Sequence, residues 1–168
     1  KSDMHHLFPT KSNVNSSRGN DPFAESIDEL TDKWYKNDSY IQNIPTQFID
    51  DYAEKYNPDN QSDERFEPRE IQKGNTARAM VYFYTMYSDF AESSFWEIQK
   101  ETLSSWNFID SPDNNEINRT WAIASYQQNK PNPFVVDATL FDRIYFWENI
   151  LNGDVNVDRE LNILDLVA

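Results

Sequence analysis

The amino-acid sequence predicts an α+β chain that is mostly helical, with its few strands in the N-terminal part. Beyond residue 74, apolar side chains recur at helical spacing. No segment shows a clean run of period-two alternation, and Pro9, Pro22, Pro45, Pro58 and Pro68 break up the earlier part.

Residues 1–26 read as a loop followed by a short helical turn, bracketed by Pro9 and Pro22, with Asn13 and Asn15 as turn or cap formers. Residues 27–70 are polar, and amphipathic stretches around Ile27–Tyr35 and Thr46–Tyr56 predict a long, partly helical insertion. A strong helix begins at Gly74-Asn75, capped by Asn75 or Thr76, with Ala77, Met80, Val81, Tyr84 and Tyr87 on one face. A second runs from about Glu92 to Ser105 through Phe95, Trp96, Ile98 and Leu103. Ser111-Pro112-Asp113 opens a third, with Ile117, Trp121 and Ala124 on one side, and Pro131 and Pro133 close that unit. A fourth, about Thr139 to Leu151, is aromatic through Phe141, Tyr145, Phe146 and Trp147. Asn152-Gly153 then marks a turn, which divides the chain into a domain over 1–151 and an appended segment over 152–168.

At 168 residues, with Phe 11, Tyr 9 and Trp 5, the chain can bury a core of its own. No apolar run approaches the roughly 20 residues of a membrane-spanning helix. Cys 0 excludes disulfides and thiolate zinc sites. The net charge of -14 opposes nucleic-acid binding, because neutralising phosphates drives that affinity. A local cationic site or one divalent ion can overcome a repulsive field that salt screens within about 8 Å.

The chemistry-bearing residue types concentrate at the start. Asp3-Met4-His5-His6-Leu7-Phe8-Pro9 runs into Asn15-Ser16-Ser17-Arg18-Gly19-Asn20-Asp21-Pro22-Phe23. An amide oxygen such as that of Asn20 suits a hard divalent ion, although an Asn here also serves as a turn cap. His5 and His6 are the only histidines; packing or support, substrate contact and proton acceptance are all open to them. Arg18, Arg78 and Arg119 suit bidentate phosphate contact, and equally ion pairs with the many acids. Glu67 or Glu116 could orient one of these arginines. Tyr82, Phe83, Tyr84 and Tyr87 form an aromatic stripe whose helical spacing fits core packing better than base stacking.

This block resembles the secreted bacterial nucleases of the endonuclease I family. There, Asp-x-His-His-Leu-x-Pro precedes Asn-x-x-Arg-x-Asn-x-Pro-Phe. The resemblance continues through Phe66-Glu67-Pro68, Lys73-Gly74 to Ala79-Met80, Trp106, Glu116 to Arg119 and Gln128 to Phe134, as far as about Arg143. It implies a His-Me finger (ββα-metal) fold, Asn20 as a ligand of a catalytic Mg²⁺-like ion, and Arg18, Arg78 and Arg119 as nucleic-acid contacts. The family's general-base His and adjacent acidic ligand lie upstream of this block. The sequence therefore predicts a chain lacking the first part of the finger, with His5, His6 and Arg18 as supporting residues and little activity of its own. In the intact protein the resemblance implies that this His activates a water, giving 5′-phosphate products from DNA, with RNA left open. It also implies a secreted or periplasmic enzyme, expected to be monomeric.

A second resemblance lies at the C-terminus. Asp154, Asn156, Asp158, Asn162 and Asp165, with the Glu160 carbonyl, resemble the Ca²⁺ loop of dockerin-type modules, whose convergent oxygens wrap a hard cation. Arg159 stands where such loops carry the glycine of a sharp turn. A rival reading makes the chain a non-catalytic, calcium-dependent binding or adhesion module on the same fold. The charge of -14 speaks for that rival, and the Arg18-Gly19-Asn20 triplet speaks for the nuclease.

Overall fold

The computed structural model describes residues 3–57 and 63–146. A short helix α1 (Ser12–Arg18) precedes a four-stranded antiparallel sheet of β1 (Thr31–Lys36), β2 (Ser39–Ile41), β3 (Ala53–Tyr56) and β4 (Arg65–Glu67), in the order β2-β1-β3-β4. Helices follow: α2 (Lys73–Met86), α3 (Ser93–Glu97), α4 (Lys100–Ile109), α5 (Asn114–Tyr126), α6 (Pro133–Val136) and α7 (Leu140–Tyr145). The α+β class and the placement of strands before the helices stand.

The partly helical insertion does not. Residues 31–67 form the sheet, and helical character there is limited to short 3₁₀ turns such as Asp28–Leu30 and Ile49–Asp51. Both faces of this sheet are covered, so neighbouring residues are buried together and period-two alternation disappears. Trp34 and Tyr35 are adjacent and both buried, as are all four residues of β3. Pairing of Tyr35 with Ala53 and of Lys55 with Phe66 puts these four residues on one face, and Trp34, Glu54 and Glu67 on the other.

The first face meets the helical half through Phe23. Its ring lies 6.4 Å from Phe66 and 6.4 Å from Trp106, so it belongs to both apolar clusters. The Phe66 N–H donates to the Pro22 carbonyl and the Ala24 N–H to the Phe66 carbonyl, pinning this segment along β4. The larger cluster joins Ala77, Val81 and Tyr82 of α2 to Trp96, Leu103, Trp106, Phe134 and Phe141.

Three helix expectations need correction. The first helix starts at Lys73 rather than at a cap on Asn75 or Thr76, because the 3₁₀ turn Glu70–Gln72 feeds straight into it. The second is broken between Glu97 and Lys100. Buried Gln99 bridges that break, its Nε2 donating to the Phe95 carbonyl and its Oε1 accepting from the Phe23 N–H. On α5, Asp113 caps the helix through the Glu116 N–H, but Ile117 and Trp121 are exposed, at 38% and 52%. Polar Glu116 and Thr120 take the inward positions with Ile123 and Ala124, because each has a buried partner. The fourth helix spans Leu140–Tyr145; its expected continuation to Leu151 and the calcium loop lie outside the described residues.

Candidate nucleic-acid interface

A cleft of about 620 Å³ opens where the N-terminal loop and α1, the first sheet face and the start of α2 converge. Tyr35, Ala53 and Phe66 form its floor with Val14 and Phe23. Asn75, Thr76, Ala79 and Met80 of α2 form one wall, and residues from His6 to Lys11 the other. Lys11, Arg18 and Arg69 supply positive charge, and among the described residues no Asp or Glu lines it. In a chain of net charge -14 that local excess of cations runs against the composition.

The loop bearing the two histidines is held on three sides. The Asp3 carboxylate accepts from Tyr82 Oη (2.7 Å), Tyr87 Oη (2.8 Å), Gln127 Nε2 (3.1 Å) and the His5 N–H (3.0 Å). Burial alone would raise its pKa, but these donors hold it well below the usual carboxylate range. Arg119 donates to the Met4 and Leu7 carbonyls and lays its guanidinium 4.1 Å from the Phe8 ring centroid. It clamps the loop to α5.

His5 is buried, with Nε2 2.9 Å from the Lys130 carbonyl and Nδ1 3.4 Å from Thr120 Oγ1. A carbonyl accepts only, so Nε2 carries the proton and Nδ1 accepts from the Thr120 hydroxyl. Both nitrogens serve packing. His6 instead lines the cleft, its ring 5.2 Å from Phe83 and 5.7 Å from Tyr87. Burial lowers its pKa against the opposing charge of Asp3, which favours a neutral imidazole; Nδ1 is buried with no hydrogen-bond partner among the described residues.

Asn20 is exposed in the turn between two cleft-lining residues, Arg18 and Phe23. That turn is rigidly tied. The Asp21 N–H donates to the Arg18 carbonyl, Arg18 Nε donates to the Asp21 carbonyl, and Lys55 pairs with the Asp21 carboxylate. The Arg18 guanidinium lies 4.3 Å over the Phe23 ring, and burial lowers its pKa against the opposing pull of Asp21. Such a guanidinium keeps its charge at any physiological pH.

Arg78 is a correction. It is fully buried (0% exposed), and Glu116, Asn107, Asn75 and the Asp110 carbonyl take its guanidinium from several sides. No face remains for a phosphate. Glu116 thus orients an arginine, whereas Glu67 pairs with Lys73 at 2.8 Å. In the aromatic stripe, Tyr82 is buried and Tyr84 stacks on Trp96 at 4.4 Å, so these rings serve the core. Sequence reasoning missed Lys11 and Arg69. They sit on separate loops in stretches without a pattern, and only the fold brings them together.

A family model described as Endonuclease I matches residues 1–139. The chain belongs to the endonuclease I family. Comparison with curated proteins and with solved structures gives no match. Membership makes this endonuclease I chain a nuclease with nucleic acid as its substrate, in a family that generally depends on a divalent metal. The described residues do not build a complete metal centre. They contain no group of three or more His, Cys, Asp or Glu placed to hold an ion. Asn20 offers one neutral oxygen, and the adjacent Asp21 carboxylate is occupied by Lys55.

Proposed function

We propose that the chain is the main part of a secreted, monomeric, metal-dependent and sequence-tolerant endonuclease, and that its cleft receives the phosphodiester backbone. One observation carries this: a cleft lined by Lys11, Arg18 and Arg69, with no carboxylate among its described residues, in a chain of net charge -14. Arg18, stacked on Phe23, keeps a fixed charge for the phosphate under attack. Lys11 and Arg69, both exposed, take flanking phosphates. Arg119 and Asp3 position the loop that carries His6. Asn20 gives one ligand to a Mg²⁺-like ion, which when bound supplies Lewis acidity at phosphorus; the general base and acidic ligand come from residues preceding Lys1.

Two measurements test this reading. With Mg²⁺ and plasmid DNA the 168-residue chain cleaves barely, because a missing general base removes about 10²–10⁴-fold in rate; robust cleavage by this chain would place the base within it. In a longer, active form, Asn20→Ala raises the Mg²⁺ concentration needed and leaves the fold intact. Wild-type rates across the titration would remove Asn20 from the ion's ligands.

The C-terminal loop is proposed as a separate Ca²⁺ site of Asp154, Asn156, Asp158, Asn162, Asp165 and the Glu160 carbonyl, with weak affinity of about 10⁻⁴–10⁻³ M. Calorimetric titration of Ca²⁺ into the chain and into a version ending at Leu151 decides it, and identical isotherms reduce the loop to an acidic tail. The rival, a non-catalytic calcium-dependent binding module, draws its support from the charge of -14.

A further inference from the structure

The cleft is more than a track for phosphates. Its volume of about 620 Å³ falls within the range of about 300–1,000 Å³ that holds small molecules. Its floor is apolar and partly aromatic, from Tyr35, Phe66 and Phe23, with Val14 and Met80 beside them. A backbone track needs donors and cations; it has no use for a deep apolar floor. The rim instead carries amide side chains from four separate segments: Asn15 on α1, Asn37 after β1, Gln72 before α2 and Asn75 on α2. Each amide both donates and accepts. Such a rim can bond the edge of any base without requiring one. The cations Lys11, Arg18 and Arg69 complete the set that an anionic, planar, hydrogen-bonding ligand needs.

Resting on the nuclease reading, we propose that this cleft binds one unpaired nucleotide of the substrate strand, its base over the Tyr35–Phe66 floor and its phosphate on the cationic rim. A base inside a duplex is stacked and paired, and reaches such a cavity only after extrusion. The preferred substrate class is therefore single-stranded or locally melted nucleic acid. Sequence tolerance follows from the same chemistry, because every base has a π-face and the amides adapt to any edge.

The test needs no cleavage. In EDTA, the 168-residue chain is titrated with a short single-stranded oligonucleotide, an oligonucleotide of equal length and phosphate number with one central abasic site, and a blunt duplex. The intact strand binds more tightly than the abasic strand by about 5–150-fold, the range that stacking one base supplies. The duplex binds more weakly than the intact strand. The Met80 methyl resonance shifts with the intact strand and much less with the abasic one. Thr76→Trp, which fills the cleft from α2, abolishes the difference between the two strands and keeps the abasic affinity. Equal affinity for intact and abasic strands overturns the nucleotide pocket and leaves the phosphate cleft standing. An unchanged preference in Thr76→Trp overturns the pocket's location. Failure of all three ligands to bind overturns the pocket and the cleft together.

Discussion

Arg78 and Arg18 fall in stretches that the family pattern marks alike, yet they sit in opposite kinds of surroundings. Arg78 is saturated: Nε lies 2.9 Å from both Glu116 oxygens, Nη2 2.6 Å from one of them, and Nη1 2.7 Å from the Asp110 carbonyl. It staples α2 to α4 and α5. Arg18 makes its hydrogen bond among the described residues through Nε alone and borders a cavity without acids. The type of residue is the same, and the placing of the carboxylates separates a structural cation from a functional one. An acidic chain holds its substrate-facing cations free by keeping its acids elsewhere.

The widest gap between the two sites is in stability. Arg78→Ala leaves Glu116 buried without its partner and destabilises the fold by about 3–5 kcal/mol in urea denaturation. Arg18→Ala removes a half-exposed cation–π contact and shifts the same midpoint by about 1 kcal/mol at most. Comparable losses in the two variants would break the contrast. Gly74→Ala probes the packing around the same staple. An added Cβ would lie 1.9 Å from the Asp110 carbonyl and under 3 Å from the Arg78 guanidinium, at 2.7 and 2.8 Å. Overpacking of that kind destabilises by about 1–3 kcal/mol, read as a fall in the denaturation midpoint.

A third cluster, on the far face of the sheet, sharpens the comparison through pH. Burial, and then the charge of Glu67 across the β3–β4 pair, push Glu54 from its ordinary 4.5 up to about 8. Between those two values the folded chain holds a proton that the unfolded chain has released, so this group lowers stability as pH rises from about 4.5 to about 8. Glu54→Gln removes that slope. Denaturation at pH 5 and pH 8.5 should show the variant gaining on the parent at the higher pH, and a constant difference would mean that Glu54 ionises normally.

Much of the helical half was legible because helix α5 with its Asp113 cap, and the inward Ala77 and Val81 of α2, follow local rules of capping and 3.6-residue spacing. The sheet was not, because a strand buried on both faces, such as Ala53–Tyr56, carries no alternation to detect. The helix break at Gln99 was hidden for a different reason, since that side chain answers to Phe23, 76 residues away in sequence. Of the candidate site, the block from Asp3 to Phe23 announced itself through residue type and spacing. Lys11 and Arg69 did not, because a cleft is made by the convergence of separate loops, and the same blindness put Arg78 among the substrate contacts.

The central claim is that the cleft, and not the helical arginines, faces nucleic acid. Lys11→Ala, Arg18→Ala and Arg69→Ala combined in one chain test it most directly, through single-strand affinity measured in EDTA over a salt series. The account predicts a variant that folds like the parent, binds much more weakly, and loses about 2 from the slope of log affinity against log salt, since each single-strand phosphate contact contributes about 0.7. A folded triple variant with the parent's affinity and salt slope would contradict it.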